Sequence, residues 1–284
     1  MIAILGAFDG YHLGHQKLLR TASGLALKHG REGDWGVVTF SPHPGSIVRG
    51  RKIPVLFTDG ERDLLSRYFN IPATLKIPFS RALADLSPME FLDYMDDLLP
   101  LSGIVVGSDF RFGRNREGDT ALIEQESKRR GWFFEAAESL VINGEKVASS
   151  SIRSHVAHGA MDQAANLLGY PFFFSGTVVR GEGRGAKLGF PTANIHYPSE
   201  KVLPKRGVYA ASVFVDSEWM PGALNVGVNP TFHEDGSEIR AETHIIGYNG
   251  NLYGERITVF LDKFLREEEK FSSPELLAES MKKD

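Results

Sequence analysis

The pattern of apolar residues changes near residue 160, and this change limits the possible folds more than any other feature of the chain. Before it, short apolar runs alternate with segments of helical spacing, which predicts a parallel α/β sheet with helices on both faces. After it, extended runs are separated by turns rich in Gly, Asn and Asp, which predicts a closed antiparallel barrel. With 284 residues the chain is long enough for both. We place the boundary between Gly159 and Phe172, with domains at residues 1–165 and 166–284.

Individual elements follow from apolar spacing and from capping residues. In the first domain the predicted strands are Ile2–Leu5, Trp35–Phe40, Ala73–Ile77, Ile104–Gly107 and Trp132–Glu135, and the predicted helices are His15–His29, Asp59–Tyr68, Leu122–Arg130 and one that starts after Ser87. A short helix at Met161–Leu168 follows. In the second domain the predicted strands are Phe172–Val179, Gly207–Val215, Gly222–Val226, Ile239–Ile246 and Arg256–Phe264, with a turn at Glu234–Gly236 and a last helix capped by Ser273.

Charge and composition exclude several classes of function. The net charge of −4 argues against nonspecific binding to nucleic acid. The chain has no cysteine, which excludes disulfides, thiol nucleophiles and thiolate metal sites. The first apolar run is too short to span a bilayer, and no basic segment precedes it. We therefore expect a cytoplasmic enzyme that acts on small molecules, without a membrane or nucleic-acid partner.

The first strand leads into a glycine-rich turn, Gly6–His15, that opens a helix. Backbone N–H groups and the helix dipole make such a turn an anion site. His12 and His15 lie three residues apart and share one side of the helix start. An isolated pair of this kind can also bind metal or lie at a polar surface, but no carboxylate is evident as a third ligand. The turn therefore predicts binding of a nucleoside triphosphate.

Two later segments of the first domain also suit a ligand. Ser149–Arg153 places hydroxyl groups and a guanidinium at a helix start, where they can bind phosphate; an ordinary serine cap is the alternative. Gly107–Gly113 follows a strand end, where open α/β sheets bind ligands. Its residues Phe110 and Phe112 can pack on an aromatic ligand or belong to the core.

Together these segments resemble the adenylyltransferase half of the bacterial bifunctional riboflavin kinase/FMN adenylyltransferase (FAD synthetase) family. The family pattern G-x-F-D-G-x-H-x-G-H is met at Gly6, Phe8, Asp9, Gly10, His12, Gly14 and His15. The pattern G-x-D-F-x-F-G is met at Gly107, Asp109, Phe110, Phe112 and Gly113. The serine motif I-S-S-T-R-I-R is only partly met: Ser149, Ile152 and Arg153 match, Val147 and Ala148 replace its first two residues, and Ser150 and Ser151 stand at its Thr and first Arg.

This resemblance implies a reaction and a set of site residues. The FMN phosphate attacks the α-phosphorus of ATP and expels pyrophosphate, with no covalent enzyme intermediate. His12 and His15 stabilise the transition state, and Asp109, Phe110 and Phe112 bind the flavin. Nucleotide and phosphate contacts are implied for Gly6, Phe8, Asp9, Gly10, Gly14, Ser149, Ser150 and Arg153.

The second domain contains its own glycine-rich loop, which runs from Gly181 to Gly189. It lacks the G-K-[ST] ending of a Walker A loop. Thr192 and Asn194 follow, two residues apart, so that in an extended segment both face one side and can hold Mg²⁺. Glu242 is a candidate general base on a strand. A surface loop with a proline turn, and a solvent-facing glutamate, are the alternatives.

These residues resemble the riboflavin kinase domain of the same family. Its ordered motifs are met at Leu188–Asn194, Gly207–Tyr209, Asn225–Thr231, Glu242–His244, Leu252–Gly254 and Leu265–Phe271. The resemblance implies a six-stranded barrel, Mg·ATP held through Thr192 and Asn194, and Glu242 as the base for the ribityl 5′-hydroxyl of riboflavin. It implies nucleotide contacts at Gly181, Gly183, Arg184, Gly185, Lys187 and Gly189. Arg266 contacts the flavin or forms a C-terminal salt bridge.

The sequence therefore predicts a two-site enzyme that makes FMN from riboflavin and ATP, and then FAD from FMN and ATP. Three alternatives stay open. The altered serine motif allows a riboflavin kinase with weak or absent adenylyltransferase activity. The histidine turn alone also fits another nucleotidyltransferase. A flavin carrier without turnover is the alternative from a different class.

Overall fold

The computed structural model describes residues 1–181, 185, 189–229, 238–269 and 271–284. The chain forms two compact units, Met1–Ser149 and Ser150–Asp284. The domain boundary expected at residue 165 stays a prediction, and the turn expected at Glu234–Gly236 lies outside the described residues. Within the described ranges, no helix is long and apolar enough to cross a membrane.

The first unit is built on a parallel five-stranded sheet. Its strands are β1 (Ile2–Leu5), β2 (Trp35–Ser41), β3 (Thr74–Pro78), β4 (Gly103–Gly107) and β5 (Phe133–Ala137), in the order β3-β2-β1-β4-β5. Strand β1 is central, pairs in parallel with β2 and β4, and is buried along its whole length. The turn that follows β1 therefore leaves the sheet at its middle, at the carboxyl end of the strand, where ligands bind in open α/β sheets.

Six α-helices of the described chain connect these strands: α1 (Leu13–Lys28), α2 (Pro44–Arg49), α3 (Asp59–Tyr68), α4 (Arg81–Ala84), α5 (Pro88–Leu98) and α6 (Thr120–Arg130). Capping boxes fix the starts of α3 and α5, through Thr58 with Glu61 and Ser87 with Glu90. A small hairpin, β6 (Val141–Ile142) and β7 (Glu145–Lys146), precedes the serine-rich segment. The helices α2 and α4 and this hairpin were not predicted.

The second unit is a closed antiparallel barrel with helices at both ends of its sequence. Helix α7 (Ser149–Ala157) crosses from the first unit, and α8 (Met161–Leu168) ends at Gly169, whose φ is +82°. The barrel strands are β8 (Phe173–Val179), β9 (Thr192–His196), β10 (Gly207–Val215), β11 (Glu218–Asn229), β12 (Glu238–Ile245) and β13 (Arg256–Arg266), in the order β10-β11-β12-β9-β8-β13. Ser273 caps the last helix, α9 (Pro274–Lys283). The predicted fold class is confirmed.

Alternation along β9 and β12 decides which side chains face the barrel interior. Ala241, Thr243 and Ile195 are buried inside, with exposed fractions of 1%, 0% and 3%. Because successive residues of a strand point to opposite faces, Glu242 and Asn194 lie on the outer face. Both are half-buried. The predicted kinase residues therefore lie on the outside of the barrel.

Candidate active sites

The glycine turn of the first unit has a backbone that few side chains tolerate. Phe8 has φ = +43° and Gly10 has φ = +81°. Phe8 is nevertheless fully buried, and its ring lies 4.6 Å from that of His15. A Cβ on Gly6 would come within 2.9 Å of the Phe8 ring. The glycine at position 6 thus makes room for Phe8, which in turn packs against one of the two histidines.

The two predicted histidines are stacked on each other at the start of α1. Their ring centroids are 3.6 Å apart and their planes differ by 15°. His12 is the N-cap: its Nδ1 accepts the backbone N–H of His15 at 3.2 Å. The Nδ1 of His15 donates to the carbonyl oxygen of Gly10 at 2.6 Å. A ring nitrogen that accepts carries no proton, so neutral His12 has its proton on Nε2, and neutral His15 has its proton on Nδ1.

The protonation state of His15 is set by its burial. Burial lowers the pKa of His15 to about 4, and the hydrogen bond to Gly10 offsets only part of this effect. In the ligand-free protein His15 is therefore neutral at pH 7. A phosphate beside the ring would favour the imidazolium, so protonation of His15 is linked to binding of an anion.

Asp9 and Ser149 hold the turn in place. The carboxylate of Asp9 accepts the backbone N–H of Leu56 at 2.7 Å and that of Phe57 at 3.4 Å. The hydroxyl of Ser149 donates to the Asp9 carbonyl oxygen at 3.2 Å. The last of these hydrogen bonds joins Ser149 to the histidine turn. The nucleotide contacts expected of both residues stay predictions.

Sequence reasoning missed a buried cation beside the same turn. Arg62 of α3 donates from Nη1 to the Ala7 carbonyl oxygen at 3.2 Å and is paired with Asp59. The same carbonyl accepts the hydroxyl of Thr39 at 2.8 Å. The Arg62 side chain is only 8% exposed. An arginine within a charged helix such as α3 is typical of a solvent-facing position, so the sequence held no signal for this contact.

The other predicted phosphate residues lie on α7. Ser150 and Arg153 are three residues apart and therefore share one side of that helix, in the second unit. The helix begins at Ser149, as the serine pattern predicted. Phosphate binding by Ser150 and Arg153 stays a prediction.

The predicted flavin residues of the first unit differ in burial. Phe112 is 6% exposed and belongs to the hydrophobic core, and half-buried Phe110 stacks on it at 5.9 Å. Exposed Asp109 is held by Lys146 of the hairpin, with 2.5 Å between Oδ2 and Nζ. This hydrogen bond holds the pKa of Asp109 below its usual value. The loop after β4 is thus held by contacts with the core and with the hairpin.

The predicted kinase residues form a direct pair on the barrel. Asn194 of β9 lies opposite Glu242 of β12, and Thr192 lies opposite His244 two residues further along the same ladder. Side chains at directly opposed positions have Cβ atoms about 4.5–5.5 Å apart. The two neutral side-chain oxygens and the carboxylate thus meet on one face of the sheet. Strand β9 was predicted only as an extended segment.

Two glycines of the kinase loop lie directly against this pair. A Cβ on Gly181 would lie 2.2 Å from Nδ2 of Asn194. A Cβ on Gly185 would lie 2.3 Å from the Phe190 carbonyl oxygen and 3.4 Å from Oγ1 of Thr192. Gly181 and Gly185 therefore leave a cradle at these oxygens that any other residue would fill. Gly189 has φ = +84°, and Gly183, Arg184 and Lys187 lie outside the described residues.

His244 is a second residue that sequence reasoning did not assign, although it stands in a quoted motif. Its Nδ1 donates to the Pro191 carbonyl oxygen at 2.9 Å, and its ring meets that of Phe190 edge to face. This contact fixes the chain directly before Thr192. The signal in the sequence was its position two residues after Glu242, on the same face of a strand.

Arg266 forms the salt bridge that the sequence left as an alternative. Its Nε and Nη2 contact the two carboxylate oxygens of Asp284 at 2.7 and 2.6 Å. The flavin contact of Arg266 stays a prediction. Within the described part of the chain, no group of three or more His, Cys, Asp or Glu residues is arranged to hold a metal ion.

Family models match two separate parts of the chain, one for each candidate site. Residues 1–151 match the model of FAD synthetase. Residues 168–284 match the model of riboflavin kinase, also called flavokinase.

Curated proteins resemble the chain over its whole length. A bifunctional riboflavin kinase/FMN adenylyltransferase of Pseudomonas fluorescens is 34% identical, over 100% of this chain and 90% of that protein. Proteins of the same name from Bacillus subtilis and Escherichia coli K12 are 32% and 33% identical, over the same shares. Among solved structures, a chain described as a macrolide-efflux protein from Streptococcus pneumoniae superposes with a TM-score of 0.88 at 27% identity, covering 100% of this chain and 92% of that one.

Proposed function

The chain belongs to the bifunctional riboflavin kinase/FMN adenylyltransferase family, and on this premise we propose that each unit carries one of two successive reactions. The barrel transfers the γ-phosphoryl group of ATP to riboflavin, giving FMN and ADP. The α/β unit transfers the adenylyl group of a second ATP to FMN, giving FAD and pyrophosphate. The presence of both family matches favours this function over a lone nucleotidyltransferase or a flavin carrier. A cytoplasmic location and the absence of nucleic-acid partners belong to the proposal.

The observation that carries the kinase assignment is the pairing of Asn194 with Glu242. We propose that Glu242 accepts the proton of the ribityl 5′-hydroxyl while the hydroxyl oxygen attacks the γ-phosphorus of ATP. The neutral oxygens of Thr192 and Asn194 suit Mg²⁺, and the cradle at Gly181 and Gly185 leaves room beside them. When bound, Mg²⁺ would neutralise charge on the ATP phosphates.

For the adenylyltransferase we propose that the stacked histidines bind the phosphates of ATP. The Nε2–H of His12 is a donor in the neutral ring, whereas His15 becomes a donor through Nε2 only when it gains a proton. Because burial keeps His15 neutral until an anion arrives, its positive charge develops where the phosphates lie. No protein nucleophile is needed, since positioning and electrostatic stabilisation suffice for in-line transfer.

Separable variants test this division of labour. Glu242→Gln should lower FMN formation from riboflavin and Mg·ATP by about 10²–10⁴-fold, the usual contribution of a general base. FAD formation from supplied FMN should be unchanged in the same preparation, which serves as the control for folding. The double variant His12→Ala/His15→Ala should do the reverse, with a loss of about 10²-fold or more.

Chromatography of the flavin products distinguishes the alternatives. If each folded variant lost both activities, the two-site assignment would fail. If the unaltered protein made FMN but no FAD from supplied FMN, the chain would be a riboflavin kinase alone.

A further inference from the structure

Glu242, the proposed base, has a directly opposed neighbour on each side, and Asn194 is the one on β9. On the other side lies Asn225 of β11, directly opposite Glu242 in the β11–β12 ladder. Three side chains thus form one row across three strands: Asn194, Glu242 and Asn225. Neighbouring strands are about 4.8 Å apart, so the two asparagines are separated by about 10 Å with the carboxylate between them.

The orientation of the Asn225 amide is fixed by a carboxylate. Its Nδ2 donates to Oε1 of Glu268 at 3.4 Å. An ionised carboxylate can only accept, so the amide nitrogen must face Glu268 and Oδ1 must point the other way. A Cβ on Gly227 would lie 2.3 Å from the same Glu268 oxygen, so the glycine leaves the space that Glu268 occupies.

The Oδ1 of Asn225 lacks a hydrogen bond. It is buried and has no partner among the described residues. Buried polar atoms of proteins are nearly always hydrogen-bonded, and an exception calls for an explanation. A carbonyl oxygen held next to a general base is a ready acceptor for a hydroxyl group of a substrate.

We propose that Asn225 is a specificity-determining residue of the kinase site, whose Oδ1 accepts a hydrogen bond from a hydroxyl of the ribityl chain, and that Glu268 is its positioning residue. The proposed Mg·ATP residues lie on the β9 side of Glu242, and Asn225 lies on the β11 side. The alcohol substrate must approach the base from the side opposite the phosphates for in-line transfer. This inference rests on the proposed function of Glu242.

Kinetics with two flavins tests the proposal in the full-length protein. The KM of riboflavin and the Ki of lumiflavin, which has the same ring system without the ribityl chain, are measured from ADP release. Asn225→Leu should raise the KM of riboflavin about three- to tenfold, the range of one neutral hydrogen bond. The Ki of lumiflavin should change less than twofold, because lumiflavin has no hydroxyl to bind.

The neighbouring glutamates provide a matched pair of variants. Glu268→Gln should raise the KM of riboflavin by a smaller factor, because a glutamine amide can donate as well as accept and no longer fixes the Asn225 amide. Glu267→Gln should have no effect, since Glu267 pairs with Lys205 instead. FAD formation from supplied FMN should be unchanged in all three variants.

Two outcomes would overturn the inference. An unchanged KM of riboflavin in Asn225→Leu would show that Oδ1 does not bind the substrate. Equal increases in the riboflavin KM and the lumiflavin Ki would show that Asn225 only supports the barrel. Full kinase activity of Glu242→Gln is a different failure, since it would remove the proposed base itself.

Discussion

Asn194 and Glu242 face each other directly across the β9–β12 ladder, although 47 positions of the sequence separate them. The antiparallel register brings a neutral oxygen and a carboxylate together on the outer face of the barrel. The loop glycine Gly181 lies against the same asparagine. The proposed kinase site is therefore made by strand pairing, and position 181, which lies against Asn194, must have almost no side chain.

The close contact at Gly181 predicts a large effect of a single methyl group. In Gly181→Ala the new Cβ would lie 2.2 Å from Nδ2 of Asn194, so the loop or the asparagine must move. We expect kcat/KM for Mg·ATP in FMN formation to fall about ten- to a hundredfold, as misplaced groups in active sites typically cause. FAD formation from supplied FMN should not change. Wild-type kinase kinetics in this variant would show that the close approach of position 181 to Asn194 is not needed for the reaction.

The matching prediction for the first unit concerns Gly14. A Cβ there would lie 3.2 Å from the His12 ring, so Gly14→Ala should displace that ring and lower FAD formation about tenfold, with FMN formation retained. Gly24→Ala on the same helix is the control, because its Cβ would meet nothing within 4 Å. The control should keep both activities and gain about 1 kcal/mol in unfolding free energy. Equal losses of FAD formation in both variants would contradict the specific contact with His12.

The fold was predictable from the sequence because the helical and strand spacings of apolar residues are local properties of the chain. The predicted β1, α3, α8 and β10 have the observed bounds. The capping box at Ser87 was visible because its partners lie three residues apart. The hairpin β6–β7 was missed because its strands have two residues each, too short to show a period.

For the candidate sites, the sequence predicted residues with a recognisable type and spacing, but not the environment of those residues. The histidine pair was recognisable by its spacing, but its electrostatics were not, because the low pKa of His15 comes from burial that only the folded chain provides. Arg62 and Asn225 were missed for the same reason. Both side chains are held by contacts with residues distant in the sequence, Ala7 and Glu268 among them.

The pKa of His15 gives a testable pH dependence. The resonance of its ring Cε1–H, assigned by its loss in His15→Gln, should not titrate between pH 8 and 5.5 in the ligand-free protein. Addition of pyrophosphate with Mg²⁺ should raise its pKa toward neutrality. A midpoint near 6.5 without ligand would contradict the neutral state.

The same shift links His15 to stability. Its folded pKa of about 4 lies below the unfolded value of 6.5, so the unfolded state binds more protons between these two values. The contribution of His15 to the free energy of unfolding is complete above pH 6.5. It falls as the pH drops toward 4, by about 2 kcal/mol between pH 7.5 and 5. Urea denaturation should show that the unfolding free energy falls less between pH 7.5 and 5 in His15→Gln than in the wild type. The exposed His196 provides the control substitution, His196→Gln, which should keep the wild-type loss.

The hydrogen bond from His244 to Pro191 predicts a positioning effect on nucleotide binding. Because this bond holds the chain directly before Thr192, His244→Ala should raise the KM of Mg·ATP in FMN formation about three- to tenfold, with a smaller change in kcat. His244→Asn keeps a side-chain N–H donor near the position of Nδ1 and should restore most of the affinity. His196→Ala, an exposed histidine of β9, should leave the KM unchanged. If the asparagine variant were as impaired as the alanine variant, the ring packing on Phe190, and not the hydrogen bond, would hold the loop.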